Sequence, residues 1–160
     1  MALTVNDHIK AIGMINGNPI PIIEVVKATG TTWLKGAVII MTSGLAVEAA
    51  DGPTTGTIVG IAMEAAVSGK LTALVHPVLP GVLFSMRLGT GDTGGDYTSA
   101  ITDRYLAYGI SLEGTTGTWY INQADTSDVA VLITRFIDTI GDNLALVEVT
   151  FIDSVYGAQT

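Results

Sequence analysis

Hydrophobic positions along this chain come in short runs of four to eight residues, broken by glycine, aspartate, asparagine or serine. Runs of that length, rich in Val, Ile, Thr and aromatics and bounded by turn residues, read as β-strands rather than helices. Ten segments fit: PIPIIEVVKA, AVIIMTSG, LAVEAA, TIVGIAMEA, LTALVHPV, VLFSMRL, RYLAYGISL, TWYIN, VAVLITRFID and LALVEVTFID. The last alternates, with Ala145, Val147, Val149 and Phe151 on one face and Leu144, Leu146, Glu148 and Thr150 on the other, the period of two that a pleated strand imposes. The first of these faces is core and the second is mixed. Turn pairs Ser43-Gly44, Asp51-Gly52 and Ser68-Gly69 fall between strand segments, where positive φ is required. The pattern predicts an all-β domain, a small β-barrel or sandwich. Helix is limited to one turn in MEAAVSG and another in DYTSAITDRY, with Thr98 or Ser99 as cap.

Residues 1–18 depart from this regularity. Their apolar residues are scattered, and NGNP closes the segment with a turn signature. This predicts an extended N-terminal arm over 1–18 and a single β domain over 19–160. In the arm, Val5, Ile9, Ile12, Met14 and Ile15 are candidate contacts with a neighbour, since a terminus is ordered only where something ties it down. The alternative is an edge strand of the same domain.

Composition sharpens the picture. A chain of 160 residues is long enough to bury roughly 70% of its unfolded surface in one core. Hydrophobic residues make up 48% and charged ones 14%, too few charges to coat a free monomer, so part of the apolar surface is expected to meet a partner. The longest apolar runs, such as AVIIM and VAVLI, are far below the roughly 20 residues that span a bilayer, which predicts a soluble chain with no membrane partner. The start MALTVNDHIKAIGMIN lacks a basic stretch followed by a continuous apolar one, so no cleaved secretory signal is expected. With no cysteine, disulfides and thiolate metal sites are excluded.

The net charge of −8 is unevenly spread. Residues 1–90 hold five basic and five acidic side chains, whereas from residue 91 only Arg104 and Arg135 oppose ten carboxylates. Such a surface repels phosphate backbones, and no Lys/Arg cluster is present to release counterions from nucleic acid. Direct nucleic-acid binding is not expected.

Candidate chemistry is sparse. GTGDTGGD, residues 89–96, holds a formal G-x-G-x-x-G, but its own aspartates oppose phosphate and the sequence beyond is not an amphipathic helix; it reads as an acidic turn between strands. No Walker A motif occurs, and GISLEG misses the nucleophile-elbow spacing by one residue. Asp125 with Asp128, and Asp138 with Asp142, lack the dense ligand spacing of a calcium loop. His8 and His76 stand far apart, without a helical zinc spacing. No catalytic, cofactor or metal residues are assigned. Trp119 and Tyr120 are adjacent on one strand and point to opposite faces, so one is expected in the core and the other at a barrel end or subunit interface.

Two blocks carry a resemblance. LKGAVIIMTSGLAVEAADGPTTGTIVGIAMEAAVSGKLTALV is similar to the short head-decoration, or cement, proteins of tailed bacteriophages, and GTWYINQADTSDVAVLITRFIDTIGDNLALVEVTFI resembles the C-terminal half of related virion proteins. Together they cover most of residues 34–152. The resemblance implies a β-barrel or β-tulip-like protein on the outside of an icosahedral capsid, synthesised in the host cytoplasm, often a homotrimer, with an arm contacting the major capsid protein and no active site. The alternatives are a tail or head-tail connector component, and a carboxylate-based hydrolase using late acids such as Asp92, Asp96 or Asp138.

Overall fold

The computed structural model describes residues 2–53, 55–91 and 93–152. Within them the chain is all-β. Eleven strands are present: β1 (Lys10–Met14), β2 (Ile23–Val26), β3 (Val38–Thr42), β4 (Leu45–Glu48), β5 (Ile58–Ala62), β6 (Thr72–Pro77), β7 (Val82–Gly89), β8 (Ala107–Glu113), β9 (Thr118–Asn122), β10 (Val131–Phe136) and β11 (Leu146–Phe151). Each of the ten segments read from the hydrophobic pattern coincides with one of the strands β2 to β11, with β7 and β8 running one residue beyond theirs, to Gly89 and Glu113. MEAAVSG has no helical turn, and DYTSAITDRY forms a single 3-10 turn at Ile101–Asp103. That turn starts at Ala100 rather than Thr98 or Ser99, because the Asp103 carboxylate reaches back to accept the Ala100 N–H at 2.7 Å.

Five strands close into a barrel in the order β7-β11-β10-β8-β9, the ring being completed by a parallel pairing of β7 with β9 at Leu88–Ile121 and Gly89–Asn122. Closure removes the open edges that a five-stranded sheet would expose. The interior is filled from every strand: Phe84, Met86 and Leu88 meet Tyr108, Ile110, Trp119, Ile121, Val131, Ile133, Val147 and Val149. Phe84 packs edge-on against Phe151, ring centroids 5.4 Å apart, the arrangement favoured by the aromatic quadrupole.

The remaining strands form a second antiparallel sheet, β2-β6-β5-β3-β4. A parallel bridge from Lys27 to Ala46 ties its two edges, so the sheet curls around its own small core of Val25, Trp33, Ile39, Val59 and Val75. Ser43 and Gly44, both at positive φ, make the two-residue turn between β3 and β4. The opposite side of this sheet contributes Val38, Ile58 and Ile61 to the barrel's core cluster. The two sheets therefore share one hydrophobic interior.

The structure does not confirm a separate arm over 1–18; the N-terminal segment follows the alternative, an edge strand of the same domain. β1 pairs antiparallel with β7 along the barrel, with a bulge between Ala11 and Gly13. Leu3 packs on Tyr120 and Leu144, the Thr118 hydroxyl donates to the Thr4 carbonyl at 2.9 Å, and Arg87 pairs with Asp7 at 2.9 Å. The N-terminal residues are held because β7 would otherwise present an unpaired edge outside the ring and Tyr120 an uncovered face.

Candidate functional site

Most of the late carboxylates among the described residues are engaged within the fold. Asp103, 2% exposed, accepts hydrogen bonds from the Tyr97 and Tyr108 hydroxyls at 2.8 and 3.0 Å as well as from Ala100. Burial and the Asp103 charge push the Tyr97 phenol up to about 12 and raise Tyr108 further, so both remain protonated donors. Asp138 receives Arg87 at 2.7 Å and the Leu146 N–H at 2.8 Å. Asp142 accepts the Thr139 N–H, and Glu148 is held by Arg135 and Thr134. Asp125 folds onto Ser127 and Asp128 in a local turn. Asp92 lies outside the described residues. Among the described residues no three His, Cys, Asp or Glu side chains group as metal ligands, and no helix is long and apolar enough to cross a membrane.

The described residues of GTGDTGGD form a closed turn between β7 and β8. Thr90 and Gly95 exchange both main-chain hydrogen bonds, at 2.8 and 3.2 Å, and Gly91 and Gly94 adopt positive φ. Gly94 lies against the Leu3 side chain, leaving no room for a Cβ. The glycines serve turn geometry and close packing. Among the described residues only the single 3-10 turn at Ile101–Asp103 stands between this loop and β8, not an α-helix opening on the loop that could point its N–H groups at an anion.

The candidate contact residues separate into two groups. Val5, Ile12 and Ile15 are exposed. Ile9 is buried in the main core and Met14 packs against it, so these two belong to the fold. Trp119 and Tyr120 are both buried, at 1% and 0% exposure, which corrects the expectation that one of them lies at a surface. Trp119 points into the barrel and donates its indole N–H to Glu48 Oε1 at 3.1 Å. Tyr120 points outward, but Leu3 and Leu144 cover it and its hydroxyl donates to the Gly91 carbonyl. The N-terminal segment supplies the partner that an outward aromatic needs.

A different surface emerges from the loops before β8 and after β10. Main-chain bonds from Ser99 to Asp142 and from Gly141 to Ser99 join them, both at 3.0 Å, and the Arg104 Nε–H donates to the Thr134 carbonyl. These loops expose Ile101, Tyr105, Leu106, Ile137 and Ile140. Tyr105 is 64% exposed at φ +65°, a left-handed backbone that costs a side-chain-bearing residue about 1 kcal/mol or more. The fold holds it there through a 2.8 Å bond from its N–H to the Ile133 carbonyl, and Arg104 stacks on its ring at 4.7 Å. The only sequence signal for this surface is the presence of isoleucines inside polar turn segments, AITDRY and DTIGD.

Comparison with known proteins adds no relationship to this geometry. No protein-family model matches the chain, no curated protein matches it, and no solved structure matches its fold.

Proposed function

We propose that this chain is a structural virion protein that decorates the outer surface of a phage head, binding the major capsid protein and stabilising the lattice as a homotrimer. The resemblance of the block that starts at Leu34 to head-decoration proteins, and of the block that starts at Gly117 to related virion proteins, motivates the reading. The observation that carries it is the Tyr105 surface: five large apolar side chains on two joined loops, with a strained and stacked aromatic among them. Exposed apolar groups of this kind mark interaction sites, and Tyr and Arg are, with Trp, the residues enriched at binding hot spots. The commitment of the placed carboxylates to local hydrogen bonds supports a contact role over hydrolysis.

Stabilisation would follow from mass action. A protein that binds only the assembled shell lowers its free energy, and a trimer engaging neighbouring subunits gains from effective concentration. Cryo-electron microscopy and mass spectrometry of purified particles test this. Density for the barrel on the shell exterior, with the Tyr105 loops at the contact, is the expected result. The chain's absence from mature heads, or its presence only in tails or inside the shell, overturns the reading.

A further inference from the structure

We propose that the cleft between β1 and the second sheet is an anion site that takes a carboxylate flanked by apolar groups, held between Lys10 and Lys35. The chain has seven Lys and Arg residues, and five are engaged. Lys27 donates to the Thr31 carbonyl, Lys70 pairs with Glu64, Arg87 with Asp7 and Asp138, Arg104 bonds Thr134 and stacks on Tyr105, and Arg135 pairs with Glu148. Lys10 and Lys35 have no ion-pair or hydrogen-bond partner among the described residues. Both line the same cleft, of about 300 Å³, together with His76. In a protein with 15 carboxylates, two unpaired ammonium groups on one cleft leave a local excess of positive charge that the fold does not neutralise.

The histidines point the same way. His76 uses Nδ1 on the Pro21 carbonyl, at 3.1 Å. The Nε2 atom of His8, two residues before Lys10, is buried without a hydrogen-bond partner. Burial first, and then the charges of Lys10 and Lys35, hold the His8 pKa below its usual value, so both ammonium groups act on one imidazole. An anion between them offsets that repulsion and gives the lysines the partner they lack.

The walls select the anion. Ile9, Ala11, Ile61, Ala62 and Met63 contribute apolar side chains to a lining that is otherwise polar. No arginine lines the cleft to offer the planar fork that pairs best with a phosphate. The two lysines offer separate point charges, one for each oxygen of a carboxylate. β1 has a strand on one side only and no β7 residue lines the cleft, so the acid can arrive on an extended polypeptide or as a free organic acid.

Histidine side-chain NMR on the full chain tests the site, with four probes: the blocked peptide Ac-Val-Glu-Val-NH2, its glutamine counterpart, glutarate and inorganic phosphate. Saturable shifts of the His8 and His76 resonances are expected with a carboxylate probe and not with the glutamine peptide. A response to the peptide identifies a polypeptide source, and a response to glutarate alone a free acid. The double substitution Lys10→Met and Lys35→Met should weaken binding about tenfold or more while leaving the Trp119 indole resonance in place. The proposal is overturned if neither carboxylate gives a saturable shift, if the double variant binds equally well, or if phosphate binds as tightly as the carboxylates. The site stands apart from the capsid reading, which rests on the Tyr105 loops, so either can fail alone.

Discussion

The Trp119 indole N–H reaches across from the barrel to Glu48 on β4, 3.1 Å from its Oε1. This bond joins the two sheets at the rim of their shared interior and places a carboxylate where water is partly excluded. Burial raises the Glu48 pKa, and the Trp119 hydrogen bond only partly opposes that.

A carboxylate raised in the folded state binds protons more readily there than in the unfolded chain. The associated stability is full below the unfolded value near 4.5 and is lost as pH rises through the higher folded value. Glu48→Gln keeps an acceptor for Trp119 without the charge. The variant should be at least as stable as the parent at pH 7, and its melting temperature should no longer fall across this window. Thermal denaturation from pH 4 to pH 8 checks both.

Tyr105 offers a separation of stability from attachment. Glycine adopts φ +65° without the Cβ penalty, so Tyr105→Gly should relieve backbone strain and leave stability unchanged or raised by up to about 1 kcal/mol, the greater freedom of its unfolded chain offsetting part of the gain. The same change removes the aromatic from the proposed contact surface. Co-sedimentation with heads should drop while the melting temperature holds; undiminished attachment argues against this surface.

Asp103 holds two phenols and one main-chain N–H. Asp103→Ala leaves the buried Tyr108 hydroxyl and two half-buried donors without their acceptor, at a cost of about 3 kcal/mol. Asp103→Asn retains an acceptor oxygen and should cost less. Urea titrations of the two variants, compared at a common slope, give the difference.

Removing residues 2–18 deletes β1 and uncovers Tyr120, so the truncated barrel should be strongly destabilised rather than intact but unable to dock. Ile9→Ala is the milder probe. Ile9 is 2% exposed in the main core, and its truncation should cost about 3 kcal/mol, read as a lower denaturant midpoint. A fully stable truncated barrel would restore the idea of an independent arm.

The strands were legible because each is a local pattern: a short β-branched or aromatic run between turn residues. β1 was not, since KAIGM is short, weakly alternating and carries a glycine at its bulge. Its pairing with β7 is decided by an edge that exists only once the barrel has formed. Trp119 illustrates the same limit from the other side. Adjacent residues must face opposite ways, as read from TWYIN, but whether the outward face stays open depends on Leu3, more than a hundred positions away.

The chain by itself determined the all-β class, ten of its strands and the turn within GTGDTGGD, because these follow from side-chain periodicity and glycine conformation within a few residues. Tertiary structure alone decided which strands close the ring, that the N-terminal segment belongs to the barrel, and that Tyr105 rather than Trp119 or Tyr120 meets solvent. It also brought Lys10 and Lys35 together, 25 positions apart in the chain, on one cleft. Burial and charge juxtaposition are properties of distant contacts, and no local pattern encodes them.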